Sequence, residues 1–270
     1  MRTKGYLFLA LLLMLSGRPD RAGAESPLEQ QMKERKYNFQ NLYFSNYYEY
    51  GRVTLGERNG LWRTFTNDVG YRLNNIFAPY LEAVALDRFG EQDYTLAAGS
   101  YLDLGAAGSA QVEAGWGINR DYVYRWQARG EYEHKLINNW AGALGYRYLD
   151  YAAGKVNIIS PGLIYYFGDN YLEGYYNLAH TAGRGNAQSG VLKANVSVNK
   201  YLSAWLGAAL GERLYDIYEL PAAEQKGYII FYGVEFGLSK GLSLKIGSSY
   251  SQERPNFVNR SLDAGMTIKF

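Results

Sequence analysis

Alternation with a period of two runs through the sequence from about Asn41 to Phe270, and it constrains the fold more than any other feature. Successive side chains on a β-strand point to opposite faces, so strict alternation marks strands whose two faces meet different surroundings. The last segment shows it most clearly. One face holds Val258, Arg260, Leu262, Ala264, Met266, Ile268 and Phe270; the other holds Asn259, Ser261, Asp263, Gly265, Thr267 and Lys269. Two further segments repeat the pattern. Tyr122, Tyr124, Trp126, Ala128, Gly130 and Tyr132 face away from Arg125, Gln127, Arg129, Glu131 and Glu133. Ala110, Val112, Ala114, Trp116 and Ile118 face away from Gln111, Glu113, Gly115 and Gly117. A soluble sandwich strand also alternates, so the deciding feature is repetition at the length of a tilted membrane strand, about nine to eleven residues.

The breaks between segments have a rhythm. Short polar breaks fall at Asn74-Asn75, Ala106-Ala107, Asn138-Asn139, Asp169-Asn170, Asn199-Lys200 and Ser239-Lys240. Their spacing of roughly thirty residues fits two barrel strands and two turns. Between them lie seven breaks, generally longer or more polar: 56–60, 88–92, 119–121, 152–155, 180–188, 212–226 and 252–256. Six inner turns and seven outer loops predict an all-β, antiparallel, up-and-down transmembrane barrel of fourteen strands with both termini in the periplasm. Twelve and sixteen are the alternatives, because 41–56 and 61–73 alternate less cleanly. The final Phe270, with Ile268 and Met266 on its face, resembles the C-terminal signal read by the barrel-assembly machinery.

The N-terminus reads as an export signal. Arg2 and Lys4 precede a short apolar run, Leu7 to Leu15, and Ala22-Gly23-Ala24 supplies the small residues of a cleavage site. The run is too short to span a bilayer as a helix. The expected division is a signal peptide over 1–24, a short periplasmic lead-in over 25–40 and the barrel over 41–270. The signal carries Arg2, Lys4, Arg18 and Arg21 against Asp20, so the whole chain's +2 becomes about −1 on maturation. That leaves no positive excess to argue for nucleic acid. The absence of cysteine excludes disulfides, thiolate metal sites and a lipidated N-terminal Cys. High Tyr and Gly counts, 27 and 31, suit a wall with one lipid face and one wet face.

Charge assigns the faces. A charged side chain at the bilayer midplane costs about 2–4 kcal/mol, so the register with charge inward is expected. It lines the lumen with Glu113, Arg125, Arg129, Glu131, Arg147, Glu173, Lys193, Glu235, Lys245 and Asp263, and also places Glu133 and Lys269 inward. Such charges either pair into a salt-bridged filling or form a selectivity ring; a barrel of intermediate width permits both. No loop stands out as large enough to form a constriction. Aromatics near strand ends, including Tyr47, Tyr48, Tyr50, Tyr146, Tyr148, Tyr151, Tyr165, Tyr166, Phe167, Tyr228 and Tyr232, are expected to form two interfacial girdles, although β-propensity alone also favours Tyr.

The sequence offers little chemistry. Its two histidines are His134, at an expected inner turn, and His180, which shares an outer loop with Ser189. A His–Ser pair needs a third, orienting group, and none stands out. No metal, cofactor or catalytic residue is assigned.

Gly145-Tyr146-Arg147-Tyr148 with Tyr151, then Pro161-Gly162-Leu163-Ile164-Tyr165-Tyr166, then Gly174-Tyr175-Tyr176, resembles the YaiO-like family of outer-membrane barrels. The resemblance implies an outer-membrane location and a poorly defined function. Related barrels sometimes follow helical-repeat scaffolds in exopolysaccharide export proteins, so any scaffold here is expected to be a separate periplasmic protein. The leading expectation is a passive or partner-gated channel for small solutes or an exported polysaccharide. The rival is a structural or surface-interaction barrel with a filled lumen, using the loop that holds Tyr215, Tyr218 and Pro221. A lipid-modifying enzyme comes third. Expected partners are outer-membrane lipids and the assembly machinery.

Overall fold

The structure, a computed structural model, describes residues 42–119, 122–152, 154–182, 185–212, 226–253 and 257–270. The signal peptide and lead-in expected before residue 41, and nearly all of the 212–226 loop, lie outside the described residues. The first seven strands are β1 (Leu42–Leu55), β2 (Arg58–Tyr71), β3 (Phe77–Arg88), β4 (Glu91–Asp103), β5 (Ser109–Ile118), β6 (Trp126–Lys135) and β7 (Trp140–Tyr151). The second seven are β8 (Gly154–Phe167), β9 (Asn170–Thr181), β10 (Gly185–Asn199), β11 (Leu202–Glu212), β12 (Lys226–Ser239), β13 (Leu242–Glu253) and β14 (Phe257–Lys269). Each pairs antiparallel with its sequence neighbours, and β1 pairs with β14, closing the barrel. Fourteen strands are therefore present, the number read from the turn rhythm. Closure leaves no unpaired sheet edge.

Because the strand number is even, β1 begins and β14 ends at the same rim. Tyr43 stands opposite Lys269 there, and the Phe270 N–H donates to the Leu42 carbonyl at 2.8 Å. The turns at this rim fall within a residue of the expected breaks; Gly168-Asp169, Lys200-Tyr201 and Lys240-Gly241 are two-residue hairpins. At the far rim several expected loops are strand instead. Residues 58–60, 88 and 91–92 pair in β2, β3 and β4, leaving two-residue turns at Gly56-Glu57 and Phe89-Gly90. Polarity misled here, because a tight hairpin also uses polar and glycine residues. Phe89 adopts a φ of 56°, unusual for a bulky residue, and its ring packs edge-on against Trp62 with centroids 6.0 Å apart.

The alternation resolves into two faces. Leu81, Leu96, Val112, Leu144, Ile159, Leu163, Leu192, Leu206, Ile246 and Leu262 form an exposed apolar band. Aromatics rim it on both sides. Trp140 and Tyr165 pack as tilted rings with centroids 4.8 Å apart near the terminal rim, and Trp126 and Tyr148 at 4.6 Å toward the far rim. The girdle expectation needs trimming, because alternation sends Tyr47, Tyr151 and Tyr166 inward while Tyr48, Tyr50, Tyr146, Tyr148, Tyr165, Phe167, Tyr228 and Tyr232 face out. Beyond the far girdle the outer face turns polar, with Arg63 and Asp87 3.8 Å apart.

The sequence expectation fails most clearly between β5 and β6. Tyr122 and Tyr124 are not strand residues facing lipid. The chain turns at Asn119, whose φ is 66°, and tucks Tyr122, Val123 and Tyr124 into buried positions. The Tyr122 N–H donates to the Asp93 carboxylate. Tyr124 packs with Leu149, Val156, Ile158, Ala179 and Ala187, all lumen-facing. A constricting segment thus exists at the far mouth, contrary to expectation. Its alternating aromatics imitate a strand because a side chain buried inside the barrel needs the same apolar character as one facing lipid.

Candidate functional site: the barrel lumen

Fourteen strands spaced about 4.8 Å apart and tilted by about 40° enclose a cylinder roughly 28 Å across between backbones. Eight strands are filled by their own side chains, whereas sixteen to eighteen leave an aqueous channel. This barrel stands nearer the second case, so the distribution of its inner side chains decides what space remains.

One arc of the inner wall, from β3 to β9, is densely packed. Tyr80 Oη donates to Glu113 Oε2 at 2.6 Å and accepts from Gln111 Nε2 at 2.8 Å. Gln127 Nε2 donates to Glu113 Oε1 at 2.9 Å. Arg129 donates to Gln111 Oε1 at 2.8 Å, and Arg147 reaches Gln127 Oε1 through Nε and Nη2. Toward the terminal rim, Tyr166 Oη donates to Glu133 at 2.6 Å, and Glu133 is fully buried. Buried polar groups are tolerated when each finds partners, and this network supplies them from β3, β5, β6, β7 and β8.

The other arc, β10 to β14 and on to β1, is more open. Ser203, Trp205, Ala209, Ile229, Phe231 and Ser249 face the lumen and remain partly accessible. Its charges pair locally: Lys245 lies 3.4 Å from Glu235, and, at the boundary of the arcs, Lys193 lies 3.2 Å from Glu173. Lys193 also sits 5.7 Å from the Tyr171 ring centre.

Glycine and aromatic residues share a rule on both arcs. Tyr43 stands opposite Gly70, Tyr47 opposite Gly265, Tyr80 opposite Gly99, Tyr175 opposite Gly162, Trp205 opposite Gly233 and Phe231 opposite Gly207. In each pair the ring occupies the space that a Cβ on the glycine would need. The rings therefore lie along the wall instead of projecting across the lumen.

The sequence-assigned charges divide by place. Glu113, Arg129, Glu131, Arg147, Glu173, Lys193, Glu235, Lys245 and Asp263 all stand on the face opposite the exposed apolar band. Arg125 differs: it precedes β6, is exposed, and contributes its backbone to Gly117 and Asp150. Glu49, Asp68 and Glu82 also face inward, opposite Asp263 and each other in register. Glu49 and Asp68 escaped sequence assignment because the first two segments alternate least cleanly, and Glu82 on β3 was missed with them, although exposed Val69 and Leu81 beside them carry the signal. Around mid-strand, Glu49, Asp68, Glu82, Glu113 and Asp263 thus outnumber Arg129 and Arg147. Among the described residues, no group of three acidic, His or Cys side chains is arranged to hold a metal.

The candidate His–Ser pair does not assemble. His180 is outward on β9 and binds Asn186 at 2.7 Å, while Ser189 is inward on β10 and accepts from Asn177 at 3.1 Å. Of the terminal residues, Met266 and Ile268 lie on the outer face and Phe270 is 66% exposed.

The sequence pattern of the YaiO membrane beta barrel domain matches residues 41–216. The chain belongs to the YaiO family. No curated protein sequence matches this YaiO-family barrel. Among solved structures it is similar to a bacterial polysaccharide outer membrane secretin, at 10% identity and a TM-score of 0.57, covering 84% of this chain and 98% of that one. It is also similar to the Pseudomonas putida toluene transporter TodX, at 8% identity and 0.56, covering 86% and 90%. The NanC porin matches at 12% identity and 0.54, covering 83% and 100%. At such identities the likeness shows the fold. With the family it places the barrel in the cell outer membrane.

Proposed function

We propose that this YaiO-family barrel conducts, as a passive or partner-gated channel for small solutes or an exported polysaccharide. The carrying observation is the set of six lumenal rings lying on cross-strand glycines, which holds those rings against the wall and out of the passage. The more accessible β10–β14 arc supports the same reading, as does the precedent that similarly shaped barrels bear the names porin, transporter and polysaccharide secretin. The mid-strand carboxylates favour cations and neutral solutes over anions. In this reading the terminal rim faces the periplasm, where a separate scaffold or export partner gates the channel. Phe270, Ile268 and Met266 serve the assembly machinery, and the apolar band meets outer-membrane lipid.

Planar-bilayer recordings of the refolded barrel test the proposal. Discrete current steps with cation preference are expected; no conductance under any applied voltage or salt removes the channel. The inward Tyr122–Tyr124 segment favours a second reading, a barrel closed at its far mouth that acts through its surface. Under that reading the intact protein stays silent and Tyr124→Gly opens it. The proposal includes no catalytic role.

A further inference from the structure

The open arc ends at the terminal rim in a cavity of about 260 Å³. The hairpins Lys200-Tyr201 and Lys240-Gly241 form its lip, and the inner ends of β10 to β14 form its wall. Three lysines line it: Lys200, Lys240 and Lys269. Its one acidic lining residue, Glu235, is already engaged by Lys245 at 3.4 Å. Hydroxyls supply much of the rest. Among them Ser243 Oγ is buried without a hydrogen-bond partner, although buried hydroxyls ordinarily have one. Tyr201 adds an aromatic ring, with Lys200 Nζ 4.8 Å from its centre.

We propose that this rim cavity binds an anionic sugar, a single sugar acid or sugar phosphate in size. The volume lies just below the range for drug-sized ligands, about 300–1,000 Å³, and matches a ligand of one ring. Lysines recognise the carboxylate or phosphate as point charges. The serines and Asn199 match sugar hydroxyls. The mid-strand carboxylates higher in the lumen repel an anion, so the ligand is held at the rim instead of being drawn through. This site goes beyond the conduction reading, because binding does not require the lumen to be open.

Calorimetric titration of the full refolded barrel in detergent tests it without any measurement of current. Glucuronate and glucose 6-phosphate are expected to bind saturably, and glucose is expected not to bind. Lys200→Gln with Lys240→Gln is expected to weaken both by about tenfold or more, the loss of one or two charge-assisted contacts. Lys200→Arg with Lys240→Arg is expected to retain binding within a few-fold. Both pairs sit on exposed hairpins, and altered gel mobility of the unheated barrel verifies folding. A uronate hexamer binding more tightly than the monomer identifies the end of a glycan chain as the source; equal affinity identifies free sugar acids. Equal affinity in the Gln variant, or glucose binding as well as glucuronate, overturns the proposal. Inorganic phosphate matching glucose 6-phosphate also overturns it, leaving a plain anion site. Conductance with no binding removes this site and keeps the channel; binding with no conductance does the reverse.

Discussion

The two arcs of the inner wall solve one problem in opposite ways. Both must line a wide barrel with polar groups inside a membrane. The β3–β9 arc does it by density: Tyr80, Gln111, Glu113, Gln127, Arg129 and Arg147 satisfy one another in a continuous network, leaving Gln127 at 3% exposure. The β10–β14 arc does it by economy. Small residues, flat rings and locally paired Lys–Glu couples leave its wall partly accessible toward the terminal rim, whereas Val53, Ser251, Glu253 and Phe257 close it toward the far rim. A chain selected only for a stable barrel has no need of the second arrangement, since packed polar networks were available on its own other side. The difference supports the proposed conduction along the more accessible arc, with the packed arc supplying rigidity around it.

The sharpest way to break this contrast is to cut each arc at one polar residue. Glu113→Ala leaves the Tyr80 hydroxyl and the Gln127 amide without their acceptor. Unsatisfied buried groups and a broken charged contact together are expected to cost about 3 kcal/mol. Ser249→Ala on the open arc removes a single neutral 2.7 Å contact to Ser261, and about 1 kcal/mol or less is expected. Urea midpoints of the two refolded variants measure both. Equal losses would erase the distinction between the arcs.

A second intervention aims at the ring-on-glycine pairs. Gly207→Val puts a branched Cβ where the Phe231 ring lies. The ring must leave the wall and swing toward the lumen. Single-channel current is expected to fall, by roughly half for a ring moved into the open side of a barrel this wide, with a stability loss of about 1–3 kcal/mol from overpacking. Gly130→Val, on the outer face with open space around it, is the control and should leave current unchanged. Were both to reduce current alike, the rings would not define the passage.

Much of this was legible in the sequence, and its failures have a physical pattern. Alternation and turn rhythm gave strand number and faces, because period two is enforced along every membrane strand. Inward placement of Glu113, Arg147 and Lys245 followed from the cost of charge in lipid. What alternation cannot see is the third surrounding, apolar contact inside the lumen. Tyr122 and Tyr124 passed for lipid-facing residues for that reason, and Tyr47, Tyr151 and Tyr166 passed for girdle. Nor does sequence reveal which charges share an arc. Arg129 and Arg147 are eighteen residues apart but stand directly opposite in register, whereas Glu49 meets Asp263 only through barrel closure.

That last meeting makes a smaller prediction about ions. Glu49 and Asp263 face each other at the β1–β14 seam that closes the barrel, within the open arc, where like charges in register are unfavourable unless a cation screens them. Asp263→Asn is expected to lower cation preference, read as a shift of the reversal potential toward zero under a salt gradient. The shift should shrink as ionic strength rises and the Debye length falls from about 10 Å at 0.1 M to about 3 Å at 1 M. An unchanged potential at low salt would mean that the seam carboxylates do not meet the permeating ion.

The smallest expected effect compares how strongly neighbours are coupled on the two arcs. Lys193 and Glu173 lie 3.2 Å apart but remain partly accessible, with side-chain exposures of 32% and 12%. Solvent screens such a pair, so a double-mutant cycle of Lys193→Met and Glu173→Gln should return a coupling of about 1 kcal/mol or less. Arg129 and Gln111 are bonded at 2.8 Å within the packed network, and Gln111 also holds Tyr80. Removing either strands other members, so the cycle of Arg129→Met and Gln111→Leu should return a coupling about twofold larger or more. The size of that gap measures how far the packed arc acts as one unit. A gap of zero would make the Lys193–Glu173 couple part of the same framework, and would move the boundary of the open arc from β9 toward β11.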